Sequence, residues 1–368
     1  MERLVRPLPV LTAALFVAAC ATGGRVEASR VAADDPRAID SLFAAYTGPS
    51  RPGASVIVIR DGKVVARRAY GMADLERRTP AAPETDYRLA SVSKQFTAMC
   101  IMLLAQDGKL QFDQPARSIL PELPPAAAPV TIRHLLNHTS GLVDYEDLIP
   151  ETRTAQLDDN DVLTMLASKD SIYFPAGTAY RYSNSGYVLL GMIVARVSGM
   201  SFPQFLRTRI FAPLGMTASV AHVAGSDTVP HRAYGYSPRG GGFEQTDQSV
   251  TSATLGDGGI YTNIDDMARW DRALSDTTLV DATMLTLATT PPPLPALPQG
   301  AATEYGFGWF VDSYRGEKRW RHTGETSGFR NAIQRFPARR FTVIVLTNRS
   351  SGEPGAIAER IADYYLFR

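Results

Sequence analysis

Cysteine and lysine are the scarce residues of this 368-residue chain: there are two cysteines, and the five lysines are Lys63, Lys94, Lys109, Lys169 and Lys318. Two cysteines exclude a disulfide scaffold and any thiolate-only metal cage. Surplus charge is missing as well, since Lys+Arg 38 against Asp+Glu 37 leaves a formal net charge of +1. A nucleic-acid binder needs basic side chains in excess to meet phosphate, so no nucleic-acid partner is expected. Three catalytic templates are absent: the G-x-S-x-G elbow, the H-E-x-x-H zinc helix and the G-x-x-x-x-G-K-[ST] phosphate loop. What is present is a chain with 45% hydrophobic and 20% charged residues, able to bury a large core. At about 150 residues per domain, its length predicts two domains.

The N-terminus reads as an address. Arg3 and Arg6 precede an apolar run, Leu8 to Ala19, that is too short to span a bilayer as a mature helix. The run ends Val17-Ala18-Ala19-Cys20, which resembles the bacterial lipobox. The expectation is a signal peptide over 1–19, cleavage before Cys20 and lipidation of its sulfur. An ordinary signal peptide with a chance cysteine is the alternative. Either way the chain is exported to the periplasmic side of a bacterial membrane. Ala21 in place of an aspartate favours the outer membrane. Residues 20–35 are small and polar and form a lipid-anchored tether. Cys100, inside the apolar run Met99 to Leu104, is expected to be a buried and inert thiol.

Beyond the tether, Ala54 to Arg60 and Val64 to Tyr70 read as strands, and Asp61-Gly62 between them is a hairpin signal. Ser91 to Leu104 is apolar nearly all round, as in a helix buried on every side. Helical segments and turn clusters then alternate to about residue 290, with little strand character. Helices are expected over Tyr187 to Val197 and Ile264 to Leu274. The proline-rich stretch Thr289 to Gly300 is a loop or crossing. Strand patterns return at Gly306 to Asp312, Lys318 to His322, Phe329 to Phe336 and Phe341 to Thr347, before a last helix over Pro354 to Leu366. No βαβ alternation appears, so the fold class is α/β of the α+β kind: an antiparallel sheet built by both chain ends and flanked by helices, with an inserted all-helical domain. The domains are 36–90 plus 302–368 for the α/β part and 91–301 for the mainly helical part.

His134 and His138 are spaced i, i+4, but no acidic partner lies at a metal-site spacing, so a structural pair is expected, with no metal and no cofactor. Ser91-Val92-Ser93-Lys94 remains. Serine and lysine at i, i+3 stand within reach on a helix face. A serine opening that helix meets free backbone N–H groups and the positive end of the dipole, where an oxyanion is stabilised. Lysine accepts a proton near neutrality only if its pKa is lowered by about three units, on the order of 4 kcal/mol, which burial in this apolar segment supplies. Of the five lysines, Lys94 alone has serine three residues before it.

Ser91-x-x-Lys94, Tyr182-Ser183-Asn184 and His322-Thr323-Gly324 resemble, in order, the three active-site elements of the penicillin-recognising serine hydrolases, in the branch of class C β-lactamases, D,D-carboxypeptidases and related esterases. Thr131 to Leu142, Phe174 to Gly177, Asp257 to Tyr261 and Tyr305 to Trp309 resemble supporting stretches of that family. The resemblance implies Ser91 as nucleophile, with Lys94 and Tyr182 sharing general base and acid work. It implies Asn184 at the acyl side chain, and His322, Thr323 and Gly324 along the opposite wall, with Thr323 at a substrate carboxylate. It implies an oxyanion hole from the backbone N–H groups of Ser91 and Glu325. Tyr261-Thr262-Asn263 repeats the Tyr-x-Asn letters, but its Gly258-Gly259 lead-in resembles a structural segment, so Tyr182 and Asn184 are preferred.

His322 stands where an efficient class C β-lactamase resembles Lys-Thr-Gly, and Glu325 adds a negative charge beside the carboxylate site. Arg330 is either a counter-charge to Glu325 or a solvated strand residue. If neutral His322 is the working form, activity rises from pH 5 to 8. The leading expectation is an exported serine hydrolase working through an acyl-enzyme on an amide or ester bond of a small molecule or peptide. It would be D,D-peptidase- or esterase-like and monomeric. The alternatives are a β-lactamase and a catalytically idle relative that binds cell-wall peptide.

Overall fold

Asp61 and Gly62 turn the chain with left-handed φ angles of 52° and 72°, the pattern of a two-residue type I′ hairpin. They join the strands Ala54–Arg60 and Lys63–Tyr70, paired antiparallel with Arg60 opposite Lys63. The structure is a computed structural model that describes residues 36–226, 228–295 and 303–367. Residues 1–35, where a signal peptide, a tether and a lipidated Cys20 are expected, lie outside those residues.

The first hairpin does not stand alone. Ala54–Arg60 pairs on its other side with Phe341–Thr347 from the C-terminal end, Ile57 opposite Ile344. Six antiparallel strands result, in the order Phe310–Tyr314, Glu317–Thr326, Phe329–Phe336, Phe341–Thr347, Ala54–Arg60 and Lys63–Tyr70. Both chain ends therefore build one sheet. Period-two alternation sends its two faces into different cores. Val56, Val58, Val343 and Val345 meet Ile361 of the C-terminal helix Pro354–Leu366 on one face. Ile57, Ile59, Ile344 and Leu346 face the larger core, which includes Phe96 and Leu103 of the helix Lys94–Gln106 and Leu189 of the helix Asn184–Ser198. Sheet and helical segments thus share a continuous apolar interior, and Pro36–Arg368 forms one compact unit.

Lys94–Gln106 is buried through eleven consecutive residues, Lys94 to Leu104, as its lack of a polar face demands. Ser91 does not open this α-helix. It sits in a preceding 3₁₀ turn, Ala90–Ser93, where i and i+3 eclipse, so Lys94 lies over Ser91 more directly than on an α-helix. Asn184–Ser198 starts three residues earlier than its periodicity predicts and ends at Gly199, whose φ of 72° suits the left-handed C-cap. The chain between 87 and 290 also holds strands too short for a periodic signal: Tyr87–Arg88, Ile260–Thr262 and Val220–Ala221 make one small sheet, and Tyr236–Arg239 pairs with Gly242–Gln245.

Candidate active site

The turn that carries Ser91 is fixed from both sides. Upstream, Tyr87–Arg88 pairs with Ile260–Thr262, and the Leu89 N–H donates to the Ile260 carbonyl at 2.8 Å. Ala90 then takes φ +49°, a left-handed conformation costing a non-glycine residue on the order of 1–3 kcal/mol, before the helix begins. On the other side the strand Glu317–Thr326 approaches so closely that a Cβ at Gly324 would lie 2.1 Å from the Leu89 oxygen. Glycine at 324 is what lets this strand, and the Glu325 backbone after it, come beside Ser91.

Lys94 is fully buried, and its Nζ lies 3.0 Å from Ser91 Oγ, 2.8 Å from Asn184 Oδ1 and 2.8 Å from the Asp257 carbonyl oxygen. Burial pulls its pKa down from 10.5 to about 8, while the nearby Asp257, Asp144 and Glu146 hold it up. The neutral amine has two N–H donors and one lone pair. The Asn184 and Asp257 oxygens can only accept, so they take both donors and leave the lone pair aimed at the Ser91 hydroxyl. This geometry defines a base already facing its proton.

Tyr182 lies across the same lysine, with Nζ 5.1 Å from its ring centroid. Burial pushes its phenol pKa up, and the Ser91 side chain is the largest influence working the other way. Its hydroxyl nevertheless has no partner that meets hydrogen-bond geometry. Asn184 is held at three points: its N–H donates to Asp144 Oδ2 at 2.7 Å, its Nδ2 to Glu146 Oε1 at 3.1 Å, and its Oδ1 accepts from Lys94. The second Tyr-x-Asn segment does other work, because Asn263 caps the helix Ile264–Asp276 by accepting the Asp266 N–H at 2.9 Å.

The third element departs from its expected role. His322 is 1% exposed, and both ring nitrogens are engaged, Nδ1 at 2.6 Å from the Thr323 carbonyl and Nε2 at 2.9 Å from Tyr305 Oη. The carbonyl only accepts, so Nδ1 carries the proton and Nε2 accepts from tyrosine. Burial drives the pKa down to about 3, so His322 is neutral across the working range and cannot attract a substrate carboxylate. Activity rising from pH 5 to 8 therefore cannot come from this ring. Thr323 points the other way along the strand, its methyl 3.7 Å from where a Gly355 Cβ would stand in the C-terminal helix. Glu325 is exposed and paired with Arg330 at 3.4 Å; Arg330 also reaches the Gly352 carbonyl and Glu353, so it is a counter-charge rather than a solvated residue.

Three carboxylates escaped the sequence reading. Asp144, Glu146 and Asp257 converge on Lys94 and Asn184, and Glu146 and Asp257 line the cleft in which Ser91 lies. Burial first, then Asp144 and Asp257, pushes the Glu146 pKa up. Asp257 accepts the Tyr145 hydroxyl at Oδ2, 3.1 Å away, and its buried Oδ1 has no partner among the described residues. Asp257 opens one of the supporting stretches, but only the tertiary contact with Lys94 marks it as part of the site. Arg88 supports the same loop, donating to the carbonyls of Ser252 at 3.0 Å and Gly258 at 3.4 Å, with its remaining nitrogen buried and unpartnered among the described residues.

His134 and His138 do not share a helix face, because the helix Ile132–Leu136 ends between them. His134 Nδ1 accepts the Thr131 N–H in a capping box. Cys100 is buried, and burial raises its thiol pKa well above the usual value, so the thiolate is disfavoured.

The Beta-lactamase family model matches residues 39–366. The chain belongs to the beta-lactamase family. Among proteins of this family, it is similar to a penicillin-binding protein of Bacillus subtilis, 30% identical over 357 residues, covering 88% of this chain and 78% of that one. A D-aminopeptidase of Cereibacter sphaeroides is 32% identical over 347 residues, 89% of this chain; the match spans 62% of the aminopeptidase. Among solved structures, the octameric penicillin-binding protein homologue from Pyrococcus abyssi superposes with a TM-score of 0.78 at 27% identity, covering 90% of this chain and 78% of that one. The chain is a hydrolase of this serine β-lactamase family.

Proposed function

We propose that the chain is a serine amidohydrolase of the D-aminopeptidase kind, acting through an acyl-enzyme on small amides or peptides that carry a free α-ammonium group. One observation carries this reading: the cleft beside Ser91 and Asn184 is lined by three carboxylates, Glu146, Asp257 and Glu325, against one guanidinium, Arg88. A carboxylate-binding site needs a cation, and the third element offers a neutral imidazole instead. An ammonium entering between Glu146 and Asp257 relieves the crowding that raises the Glu146 pKa. The similarity to a D-aminopeptidase supports the same choice over a D,D-carboxypeptidase, an esterase or a β-lactamase.

The geometry supports the following course of reaction. Neutral Lys94 takes the Ser91 proton across 3.0 Å as Oγ bonds to the carbonyl carbon. The backbone N–H groups of Ser91 and Glu325 meet the oxyanion. Tyr182 delivers a proton to the leaving amine as the C–N bond breaks, and Lys94 returns one to it. Water, deprotonated by the same pair, then attacks the acyl-enzyme, releases the acid and restores Ser91. The N-terminal sequence adds the proposal that this chemistry takes place outside the cytoplasm, on a chain anchored through Cys20; a Cys20→Ala form recovered in the soluble fraction after export would support the anchor.

A hydrolysis screen tests the substrate class. A D-amino-acid p-nitroanilide with a free amine is expected to turn over, and its N-acetyl analogue to lose about 100-fold or more in kcat/KM, the scale of losing a charge-assisted contact. Faster turnover of nitrocefin or of an N-blocked D-Ala-D-Ala peptide would overturn the reading.

A further inference from the structure

Among the described residues the hydroxyl of Tyr182 meets hydrogen-bond geometry with no partner, Ser91 being the leading side-chain influence on it, so its reactive end is weakly held. Its position comes from its backbone and its ring. Lys94, Tyr305, Phe310 and His322 also surround the ring, but His138 stands nearest to it and bonds the backbone as well. The Ser183 N–H donates to His138 Nδ1 at 3.1 Å, and the Arg181 N–H donates to the His138 carbonyl at 3.0 Å. The imidazole lies against the Tyr182 ring with centroids 4.2 Å apart. We propose that His138 is a positioning residue for Tyr182, gripping the backbone on both sides of it and backing its ring; this rests on the role given to Tyr182 above.

The grip requires one protonation state. Nδ1 accepts from Ser183, so the ring proton is on Nε2, a buried atom without a hydrogen-bond partner among the rings of Tyr182, Tyr187 and Tyr305. Burial, with the charges of Lys94 and His322 as lesser influences, keeps the imidazole neutral. A protonated Nδ1 would turn the acceptor into a donor facing Ser183 N–H. The residue also stands at φ +57°, a conformation open to glycine and asparagine. That backbone angle makes a clean test available.

His138→Gly keeps the backbone angle and removes the acceptor; His138→Asn keeps the angle and restores an acceptor near the Nδ1 position. Both lose the ring and should lower Tm by similar amounts. On an amide substrate, His138→Gly is expected to lower kcat about tenfold or more with KM within about twofold, the scale of one lost hydrogen bond in the backbone that carries the proton donor. His138→Asn should recover most of that kcat. On a p-nitrophenyl ester, whose leaving group needs no proton, the glycine variant should lose less. Equal kcat losses in both variants, or equal losses on amide and ester, would overturn the proposal. Ser91→Ala in the same assays separates this outcome from a failure of the catalytic reading, since turnover surviving that change would refute the nucleophile itself.

Discussion

Tyr182-Ser183-Asn184 and Tyr261-Thr262-Asn263 carry the same motif letters in two regions of the protein. In the first, asparagine accepts from a buried ammonium and the tyrosine ring lies over it. In the second, asparagine caps a helix and donates to Asp86 at 3.0 Å. The tyrosines differ as well. The Tyr182 hydroxyl is buried with no hydrogen-bond partner among the described residues, whereas the Tyr261 hydroxyl receives hydrogen bonds from Arg232 at 3.2 Å and Gln248 at 3.3 Å. The first segment leaves polar capacity unused beside a lowered-pKa lysine, and the second uses its capacity up in the fold. Unused capacity next to a tuned base separates a reactive segment from a structural one.

The largest break in that comparison is Lys94→Met, expected to abolish turnover while raising stability at neutral pH. The pKa of Lys94 is lowered by folding, from 10.5 to about 8. Below about 8 the amine is protonated in both states, and the folded protein bears the cost of a buried charge. Between about 8 and 10.5 only the unfolded chain holds the proton, so stability rises with pH, by a total of about 3 kcal/mol from this group. Wild-type Tm should therefore climb relative to Lys94→Met as pH rises through that window. Matched Tm profiles would show that the lysine is not depressed.

Next in size is Tyr182→Phe, expected to lower kcat by about 10²–10⁴-fold on amides with little change in Tm, because the lost hydroxyl bonds nothing in the resting fold. Tyr261→Phe should leave kcat within about twofold and lower Tm slightly. Comparable kcat losses in the two variants would erase the distinction between the segments.

The pH profile of kcat/KM sharpens the same contrast. It should rise through about pH 8 as Lys94 loses its proton, and no step should belong to His322, whose pKa lies near 3. Asp257→Asn removes the charge that most holds the lysine pKa up, so its limb should move to lower pH. A shift to higher pH would assign the limb to another group. Smallest is Asn263→Ala, expected to cost about 1 kcal/mol of stability by denaturant titration, the usual value of a helix cap, with kcat unchanged.

Much of the fold was legible in the chain. Asp61-Gly62 announced the hairpin, and the strands Phe329–Phe336 and Phe341–Thr347 and the helix Pro354–Leu366 stand where their patterns place them. The small sheet beneath Ser91 was not legible, because two- and three-residue strands give no periodicity; pairing between distant segments such as Arg88 and Tyr261 creates them. Ser91 and Lys94 were legible because lysine is rare and the spacing is short. Asp144, Glu146 and Asp257 were not, since carboxylates are common and nothing local marks one as buried beside a lysine.

The sequence by itself determined the hairpin turn, the order of the longer strands and helices, and the Ser91–Lys94 pair, because turn chemistry, periodicity and spacing act over a few residues; the elements at Tyr182 and His322 were implied by the family resemblance. Only the tertiary structure decided what each polar group is for. Burial lowered the pKa values of Lys94 and His322 alike. It left the first a base facing Ser91 and closed the second between Tyr305 and Thr323. The physical reason is that desolvation depends on segments brought together by the fold, and the Asn184 and Asp257 oxygens that hold Lys94 lie ninety or more residues from it, so no local pattern encodes them.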